Sequence, residues 1–150
     1  MTPARSLDDV LEHLRAGGKR ITSPRRAILE ALLKHAGRHP TAEQITADVH
    51  DRQPDVDKST VYRLLDDLEK MGLIDHVHLA HGPAVYHFAD DAHHHLVCEN
   101  CSKVFEVATG TFDALRRRLL ANFDFEMQAR HFAIPGRCGS CARVSPSKEL

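Results

Sequence analysis

Four cysteines, the only ones in the chain, form two Cys-x-x-Cys pairs, Cys98 with Cys101 and Cys138 with Cys141. Two thiolates at this spacing can hold one metal ion, and two such pairs complete the tetrahedral all-thiolate site that Zn²⁺ prefers. Disulfides and a thioredoxin-type redox motif are the alternatives, but no secretory signal precedes the cysteines and no βαβ pattern flanks them. The spacing therefore predicts a structural zinc site and a reducing, cytoplasmic location.

Histidine is the second group with metal chemistry. The chain has 12 histidines in 150 residues, and seven of them lie between His76 and His95. Neutral imidazole is the commonest side-chain ligand for first-row transition metals. Because four thiolates would saturate the zinc site, the histidines predict a second metal that is bound through nitrogen.

Charge and hydropathy argue against a membrane span and leave a nucleic-acid partner possible. The formal net charge is −1 and the hydrophobic content is 42%, which is enough for a core, and the absence of a long apolar run argues against a membrane span. Lys19, Arg20, Arg25 and Arg26 form a local basic cluster at the start of a predicted helix. A solvated basic turn is the alternative to a phosphate-binding surface.

The first half of the chain predicts four helices that must position this cluster. Ser6 caps the first helix, Ser23 is the predicted N-cap of the second with proline at its first position, and Thr41-x-x-Gln44 is a capping box for the third. The fourth begins at Asp57 and ends at Gly72. Its exposed first turns carry Ser59, Thr60, Tyr62 and Arg63.

A β-hairpin follows the helices. Residues 73–79 alternate like a strand, Gly82-Pro83 forms a turn, and residues 84–88 make the second strand. Helices followed by a hairpin predict a winged helix, whose last helix inserts into the major groove of double-stranded DNA. The polar residues of the fourth helix suit phosphate and base-edge contacts. A helical bundle whose polar face only meets water is the alternative.

The remainder predicts a small α/β unit. Strands are predicted over 94–98 and 103–107, a helix over about 112–122 and a strand over 125–134. A unit of about sixty residues buries little core, so a zinc site and dimerisation would both help it to fold. We predict an α+β fold with a winged-helix DNA-binding domain at 1–89, an α/β dimerisation and metal-binding domain at 90–144 and a disordered tail at 145–150.

Four motifs in order resemble the Fur (ferric uptake regulator) family of metal-dependent transcriptional repressors. They are Arg20-Ile-Thr-x-Pro-Arg25-Arg26, Ser59-Thr-Val-Tyr-Arg63, His93-His-His-Leu-Val-Cys98-x-x-Cys101 and Cys138-x-x-Cys141. The similarity spans about residues 7–142. It implies a homodimer that binds operator DNA through Lys19, Arg20, Arg25, Ser59, Thr60, Tyr62 and Arg63. It also implies a regulatory metal at the hinge between the two domains.

The resemblance carries over two sets of histidine ligands. The hinge site of the family corresponds to His39, His87, His93 and His95, and alternation along a strand places His93 and His95 on one face and His94 on the other. A second set, His76, His78 and His131, resembles the nickel site of the nickel-responsive branch. A lone histidine on an apolar face, as predicted for His131, is more often a core residue than a ligand.

Two departures weaken the iron-type interpretation. Ala92 stands where the iron-type branch has a histidine, and His94 stands where it has an aspartate. The sequence does not decide whether His94, Asp91 or Asp113 ligates metal. Imidazole-rich sites without thiolate suit several metals, so the predicted order is Ni²⁺, then Zn²⁺, then Fe²⁺ or Mn²⁺.

The function predicted from these features is a metal-responsive repressor of metal uptake and homeostasis genes. A zinc- or iron-responsive regulator and a peroxide sensor are alternatives within the family, and a metal storage or chaperone protein is the alternative from another class. An enzyme is not expected, because the chain has no His-Glu-x-x-His motif and no paired nucleophile and base. No membrane and no small-molecule substrate are predicted as partners.

Overall fold

A computed structural model of the chain describes residues 6–79, 82–90, 93–127 and 132–144. Contacts divide the chain into two compact units. The first comprises residues 1–76 and 84–91, and the second comprises residues 77–83 and 92–150. The predicted domain boundary between residues 89 and 90 stays a prediction, and the predicted tail at 145–150 lies outside the described residues.

Four helices open the chain, as predicted. They are α1 (Leu7–Ala16), α2 (Ser23–Lys34), α3 (Ala42–His50) and α4 (Lys58–Lys70). Ser6 and Thr41 each form a capping box, with Asp9 and Gln44 as the reciprocal partners. The predicted N-cap of α2 is wrong by one residue: Thr22 accepts the capping hydrogen bond from Arg25 N, so Ser23 already has helical geometry.

The helices are held by one apolar core in the first unit. Their buried faces recur at helical spacing, as with Ile28, Leu29 and Leu32 of α2, which are at most 2% exposed. The other fully buried large residues of this core include Leu11, Leu14, Ile45, Leu64, Leu65, Leu68 and Ile74. Burying this many aliphatic side chains, each worth about 1.5–3 kcal/mol, fixes α4 against α2 and α3.

The wing consists of β1 (Ile74–His78) and β2 (Ala84–Phe88), which form a two-stranded sheet. Backbone contacts attach β2 to the start of α3: Tyr86 N donates to Pro40 O at 2.9 Å, and Thr41 pairs with Val85 in an isolated bridge. Helices α3 and α4 followed by this sheet make a winged helix, which confirms the predicted fold of the N-terminal part.

The second unit is built on a three-stranded sheet. Its strands are β3 (His93–Cys98), β4 (Val104–Ala108) and β5 (Ala133–Gly136), in the order β4-β3-β5. Strand β3 is antiparallel to β4 and parallel to β5. One turn of 3₁₀-helix (Thr109–Phe112) leads into α5 (Asp113–Phe123), and a short helix, α6 (Gly139–Val144), follows β5.

Two predictions for this unit are wrong in detail. The strand predicted over 125–134 is strand only from Ala133, since residues 125–127 are irregular, residue 132 precedes the strand, and 128–131 lie outside the described residues. Pairing with β3 begins at His95↔Ala133 and so fixes where β5 starts. The sequence does not predict α6, because six residues around a Cys-x-x-Cys pair carry no apolar period.

Burial differs sharply between the units. Apart from Val77, the buried residues that the structure describes in the second unit lie on β3: His94, His95, Val97 and Cys98. Helix α5 has no buried residue. A unit with so small a core needs further stabilisation. Among the described residues, no helix is long and apolar enough to cross a membrane.

Candidate metal centre and nucleic-acid interface

The four cysteines converge at one end of the three-stranded sheet. Cys98 ends β3, Cys101 lies in the turn after it, and the register places Cys98 opposite Gly136, two residues before Cys138. Helix α6 then brings Cys141 back, with Ala142 N donating to Cys138 O at 2.8 Å. All four sulfur atoms lie within 4.8 Å of one another.

The spacing of these sulfur atoms fits a tetrahedral metal ion. Zn–S bonds of about 2.3 Å in a tetrahedron separate sulfurs by roughly 3.8 Å, and Cys101 Sγ and Cys138 Sγ are 3.7 Å apart. Donors also surround the cluster: Cys138 N donates to Cys98 Sγ at 3.3 Å, and Asn100 Nδ2 donates to Cys141 Sγ at 3.2 Å. The donor set and its geometry are therefore compatible with a structural zinc site.

The thiols of Cys98, Cys101 and Cys138 have pKa values that differ from the ordinary value of a cysteine. Hydrogen bonds from the backbone N–H groups of Cys138 and Cys101 lower the pKa of Cys98 to about 6, and the backbone N–H of Cys141 lowers the pKa of Cys138. The backbone N–H of Lys103 favours the thiolate of Cys101, but the sulfurs of Cys98 and Cys141 outweigh it and raise the pKa of Cys101 to about 11. Four close thiolates repel one another until a cation neutralises them, which is what metal binding provides.

One histidine pair lies on β3 in the second unit. The rings of His93 and His95 meet edge to face with centroids 4.7 Å apart, as expected for alternate residues on one face of a strand. The His95 residue is fully buried, and His93 Nε2 is 3.9 Å from Glu106 Oε1 on β4. Two imidazoles held this close can share one metal ion.

His94, between them, has a different environment. Its ring stacks on Phe132 at 3.9 Å between centroids and meets Phe112 edge to face at 5.3 Å. Burial lowers its pKa and so favours the neutral imidazole. Because its ring is enclosed by aromatic side chains, His94 packs as a core residue. Asp113 instead pairs with Arg116 at 3.4 Å, and Asp91 lies outside the described residues.

A second histidine pair lies in the first unit. His39 precedes α3 and His87 lies on β2, and their ring centroids are 5.9 Å apart. The hydrogen bond from Tyr86 N to Pro40 O brings the adjacent residues His87 and His39 together, although they are far apart in the sequence. His87 is 5% exposed.

The second predicted set is only partly described. His76 and His78 are exposed residues of β1, whereas His131 lies outside the described residues. His76 Nδ1 is 2.5 Å from Glu69 Oε1, and His78 Nδ1 is 3.3 Å from Gly82 O. Contacts at Nδ1 orient a histidine so that Nε2 is the ligand atom, an arrangement common in metal sites.

Two of the predicted phosphate-binding residues contact an acidic side chain of α4, that of Asp67. Lys19 Nζ is 2.8 Å from Asp67 Oδ1, and Arg25 is 3.5 Å from Asp67 Oδ2. Arg25 also donates to Arg20 O at 2.7 Å. These contacts place the basic turn beside α4, the helix that the sequence predicts to enter the major groove.

Two carboxylates, those of Asp57 and Glu43, hold side chains in the first turns of α4. Asp57 caps α4: it accepts from Thr60 N at 2.8 Å and from the Ser59 hydroxyl at 2.5 Å. Tyr62 Oη donates to Glu43 Oε1 at 3.1 Å, and Lys58 Nζ is 2.6 Å from the same oxygen. The sequence motifs do not point to Lys58 or Glu43, and no local pattern links Glu43 to a tyrosine 19 residues later.

Comparisons with known proteins bear on this combination of winged helix, histidine pairs and thiol cluster. The family model described as "Ferric uptake regulator family" matches residues 16–135. The chain belongs to the ferric uptake regulator family. This confirms the resemblance found in the sequence and, with it, a metal-binding, DNA-binding regulator.

Individual relatives of this Fur-family chain are distant but nearly full-length. It is 27% identical over 135 residues to the ferric uptake regulation protein of Vibrio cholerae, which covers 89% of this chain and 90% of the relative. It is 29% identical to the peroxide operon regulator of Bacillus subtilis, over 93% of this chain and 96% of that protein. The solved ferric uptake regulator of Helicobacter pylori shares the fold, with a TM-score of 0.73, 22% identity and coverage of 98% of this chain and 100% of that one.

Proposed function

We propose that this Fur-family chain is a homodimeric repressor that binds operator DNA when a regulatory metal, Ni²⁺ in first place, is bound. Genes of metal uptake and homeostasis are its proposed targets, and the cytoplasm is its proposed location. The observation that carries the proposal is the presence of two close histidine pairs, His39 with His87 and His93 with His95, in separate units of the chain. One ion bound by both pairs would couple metal binding to the DNA-binding unit.

The chain's own residues have separable tasks in this proposal. Lys19, Arg20 and Arg25 contact phosphates, while Ser59, Thr60, Tyr62 and Arg63 of α4 face the groove. Arg20 and Arg63 suit this role because, among the described residues, neither guanidinium has an ion pair. When bound, the regulatory metal supplies a crosslink between imidazole nitrogens and no chemical step.

The preference for nickel rests on the histidines alone. His76 and His78 with His131 form an all-nitrogen set like that of the nickel-responsive branch, and the contacts at Nδ1 of His76 and His78 suit ligation through Nε2. His94 stands where iron-type members have an aspartate, and its ring stacks on Phe132, so no carboxylate is available at this position. Ni²⁺ is therefore ranked before Zn²⁺, Fe²⁺ and Mn²⁺.

Titrating a DNA fragment with each metal tests the sensing role. Metal and DNA must strengthen each other's binding by the same factor, a coupling of about 1–3 kcal/mol. We expect His78→Ala and His131→Ala to abolish the nickel response and His93→Ala to weaken the response to every metal. His13→Ala is the matched control, because His13 Nδ1 contacts Asp9 O within α1. A wild-type nickel response in both His78→Ala and His131→Ala would remove nickel from first place.

Peroxide sensing is the second candidate, favoured by the similarity to the peroxide operon regulator of Bacillus subtilis. In that case bound iron would direct oxidation to a ligand histidine. Mass spectrometry of the Fe²⁺ form after peroxide treatment would then show added oxygen on His39 or His93. Metal storage, the alternative of another class, predicts that no metal changes DNA affinity.

A further inference from the structure

Glu43 holds two side chains of the recognition helix at once. It lies in the first turn of α3, and its Oε1 accepts from Tyr62 Oη at 3.1 Å and lies 2.6 Å from Lys58 Nζ. Lys58 Nζ is also 5.6 Å from the centroid of the Tyr62 ring. Three groups from two helices therefore form one cluster, and α4 contributes two of them from its exposed N-terminal turns.

The direction of the Tyr62–Glu43 hydrogen bond is fixed by charge. Lys58 is the main cause that lowers the pKa of Glu43 to about 2, so this carboxylate is ionised and can only accept. Partial burial and Glu43 raise the pKa of Tyr62, so the phenol keeps its proton. Since a phenol has a single O–H, that proton points at Glu43. Only oxygen lone pairs and the ring remain for another partner.

We propose that Glu43 is a specificity-determining residue that makes Tyr62 read DNA as a hydrogen-bond acceptor. This inference rests on the proposed DNA-binding function and adds the polarity of one contact to it. An acceptor matches the amino groups of adenine N6 and cytosine N4, and the ring suits the thymine methyl group. It does not match guanine O6 and N7 or a phosphate oxygen, which accept hydrogen bonds themselves.

Lys58 complements this role. Its ammonium has three donors, so it can keep the contact with Glu43 and still donate to a phosphate. The ion pair is solvent-exposed, with side-chain exposures of 53% for Lys58 and 51% for Glu43. Exposed pairs contribute little to folding. Glu43 is therefore expected to affect sequence preference and to leave the stability of the unit nearly unchanged.

Selection from a pool of duplexes with a randomised centre tests the proposal, because it needs no defined operator. Wild type, Glu43→Gln, Glu43→Asp, Tyr62→Phe and the double variant Glu43→Gln/Tyr62→Phe are compared with Ni²⁺, Zn²⁺ and Mn²⁺ in parallel. Asp66→Asn is the charge-matched control, because Asp66 pairs with Lys70 on the outside of α4.

The expected result is a shared change at one position of the selected sequence. Tyr62→Phe should change the base preference at one position of the selected sequence. At that same position, Glu43→Gln should reduce the discrimination against guanine by roughly three- to tenfold. Glu43→Asp, which is too short to reach Tyr62 in the same way, should behave similarly. Asp66→Asn should keep the wild-type preference, and the double variant should match Tyr62→Phe, because Glu43 acts through the hydroxyl.

Each contrary outcome has a separate meaning. The role of Glu43 would be overturned if Glu43→Gln kept the wild-type base preference or lost DNA binding completely. It would also be overturned if Tyr62→Phe left the base preference unchanged, or if the effects of the two substitutions added up in the double variant. Failure of the wild type to enrich any sequence with any metal would instead overturn the proposed DNA-binding function. A Tm of Glu43→Gln far below that of wild type would contradict the claim that the contact is non-structural.

Discussion

Acidic side chains organise most of the residues to which the sequence assigns DNA contacts. Asp67 holds Lys19 and Arg25, Asp57 holds Ser59 and Thr60, and Glu43 holds Tyr62. The sequence could predict the cations and hydroxyls, because their types and spacing are local. It could not predict their partners, because Asp67 and Lys19 are 48 residues apart and meet only through helix packing.

The Tyr62–Glu43 contact can be detected directly by titration. The negative charge of Glu43 contributes to the raised pKa of Tyr62 because it disfavours a second anion beside it. Glu43→Gln should therefore lower the pKa of Tyr62 towards its ordinary value. The chain has only two tyrosines, so ultraviolet titration in a Tyr86→Phe background isolates Tyr62. An unchanged pKa would show that the carboxylate does not bind this hydroxyl in solution.

The thiol cluster gives a second prediction for single residues. Cys138→Ser should remove zinc and unfold the second unit, because zinc binding free energy, about 10 kcal/mol or more in small zinc units, is folding free energy there. Metal analysis and the Tm measure both effects. Ser140→Ala, inside the same Cys-x-x-Cys pair, is the matched control and should retain zinc. A folded, zinc-free Cys138→Ser protein of wild-type Tm would show that the cluster is not structural.

Among the elements, prediction succeeded where capping and apolar period agree. Thr41 and Gln44 indicate the start of α3, and Asp57 indicates the start of α4, and both helices begin where these residues predict. The predicted start of β5 is wrong, because an alternating pattern of apolar residues does not show where pairing with the neighbouring strand β3 begins. Pairing of β5 begins opposite His95 and includes Pro135, which an edge strand tolerates because one side needs no backbone donor.

The cap of α4 should influence both stability and DNA binding. Asp57→Ala removes the acceptor for Thr60 N and should cost about 1 kcal/mol of unfolding free energy, measured by chemical denaturation. It also releases Ser59 and Thr60, so DNA affinity should fall further than stability alone explains. Ser6→Ala removes the equivalent cap from α1 and should cost similar stability without affecting DNA binding. Equal DNA affinities in these two variants would argue against contacts by Ser59 and Thr60.

For the whole molecule, the unequal cores of the two units bear on assembly. The second unit exposes large apolar side chains on β4, on α5 and just after it: Val104, Phe105, Leu115, Leu120, Phe123 and Phe125. We propose, from family membership, that a second copy covers them. The sequence predicted dimerisation from the small size of this unit, but only the structure shows which side chains its fold leaves exposed.

A charge placed on this surface should therefore dissociate the proposed dimer. Phe123 is 73% exposed in the single chain, so Phe123→Glu should preserve the fold of one copy while burying an unpaired carboxylate in the dimer, at a cost of several kcal/mol. Sedimentation at a series of concentrations measures the dissociation constant. Val144→Glu, at an 84% exposed position on α6, is the control. A wild-type dimer in Phe123→Glu would place the interface elsewhere.

The pairing of β3 with β5 brings together thiols that leave the ribosome at different times. Every residue of the helical core, from Val10 to Phe88, is synthesised before Cys98, and Cys138 emerges 40 residues later still. Domains generally fold as they are made, so the winged helix of a nascent chain can fold while half of its cysteine ligands are untranslated. If the chain is the homodimeric repressor proposed above, completion of the last Cys-x-x-Cys pair would set the earliest moment at which a new copy can pair with another and bind operator DNA.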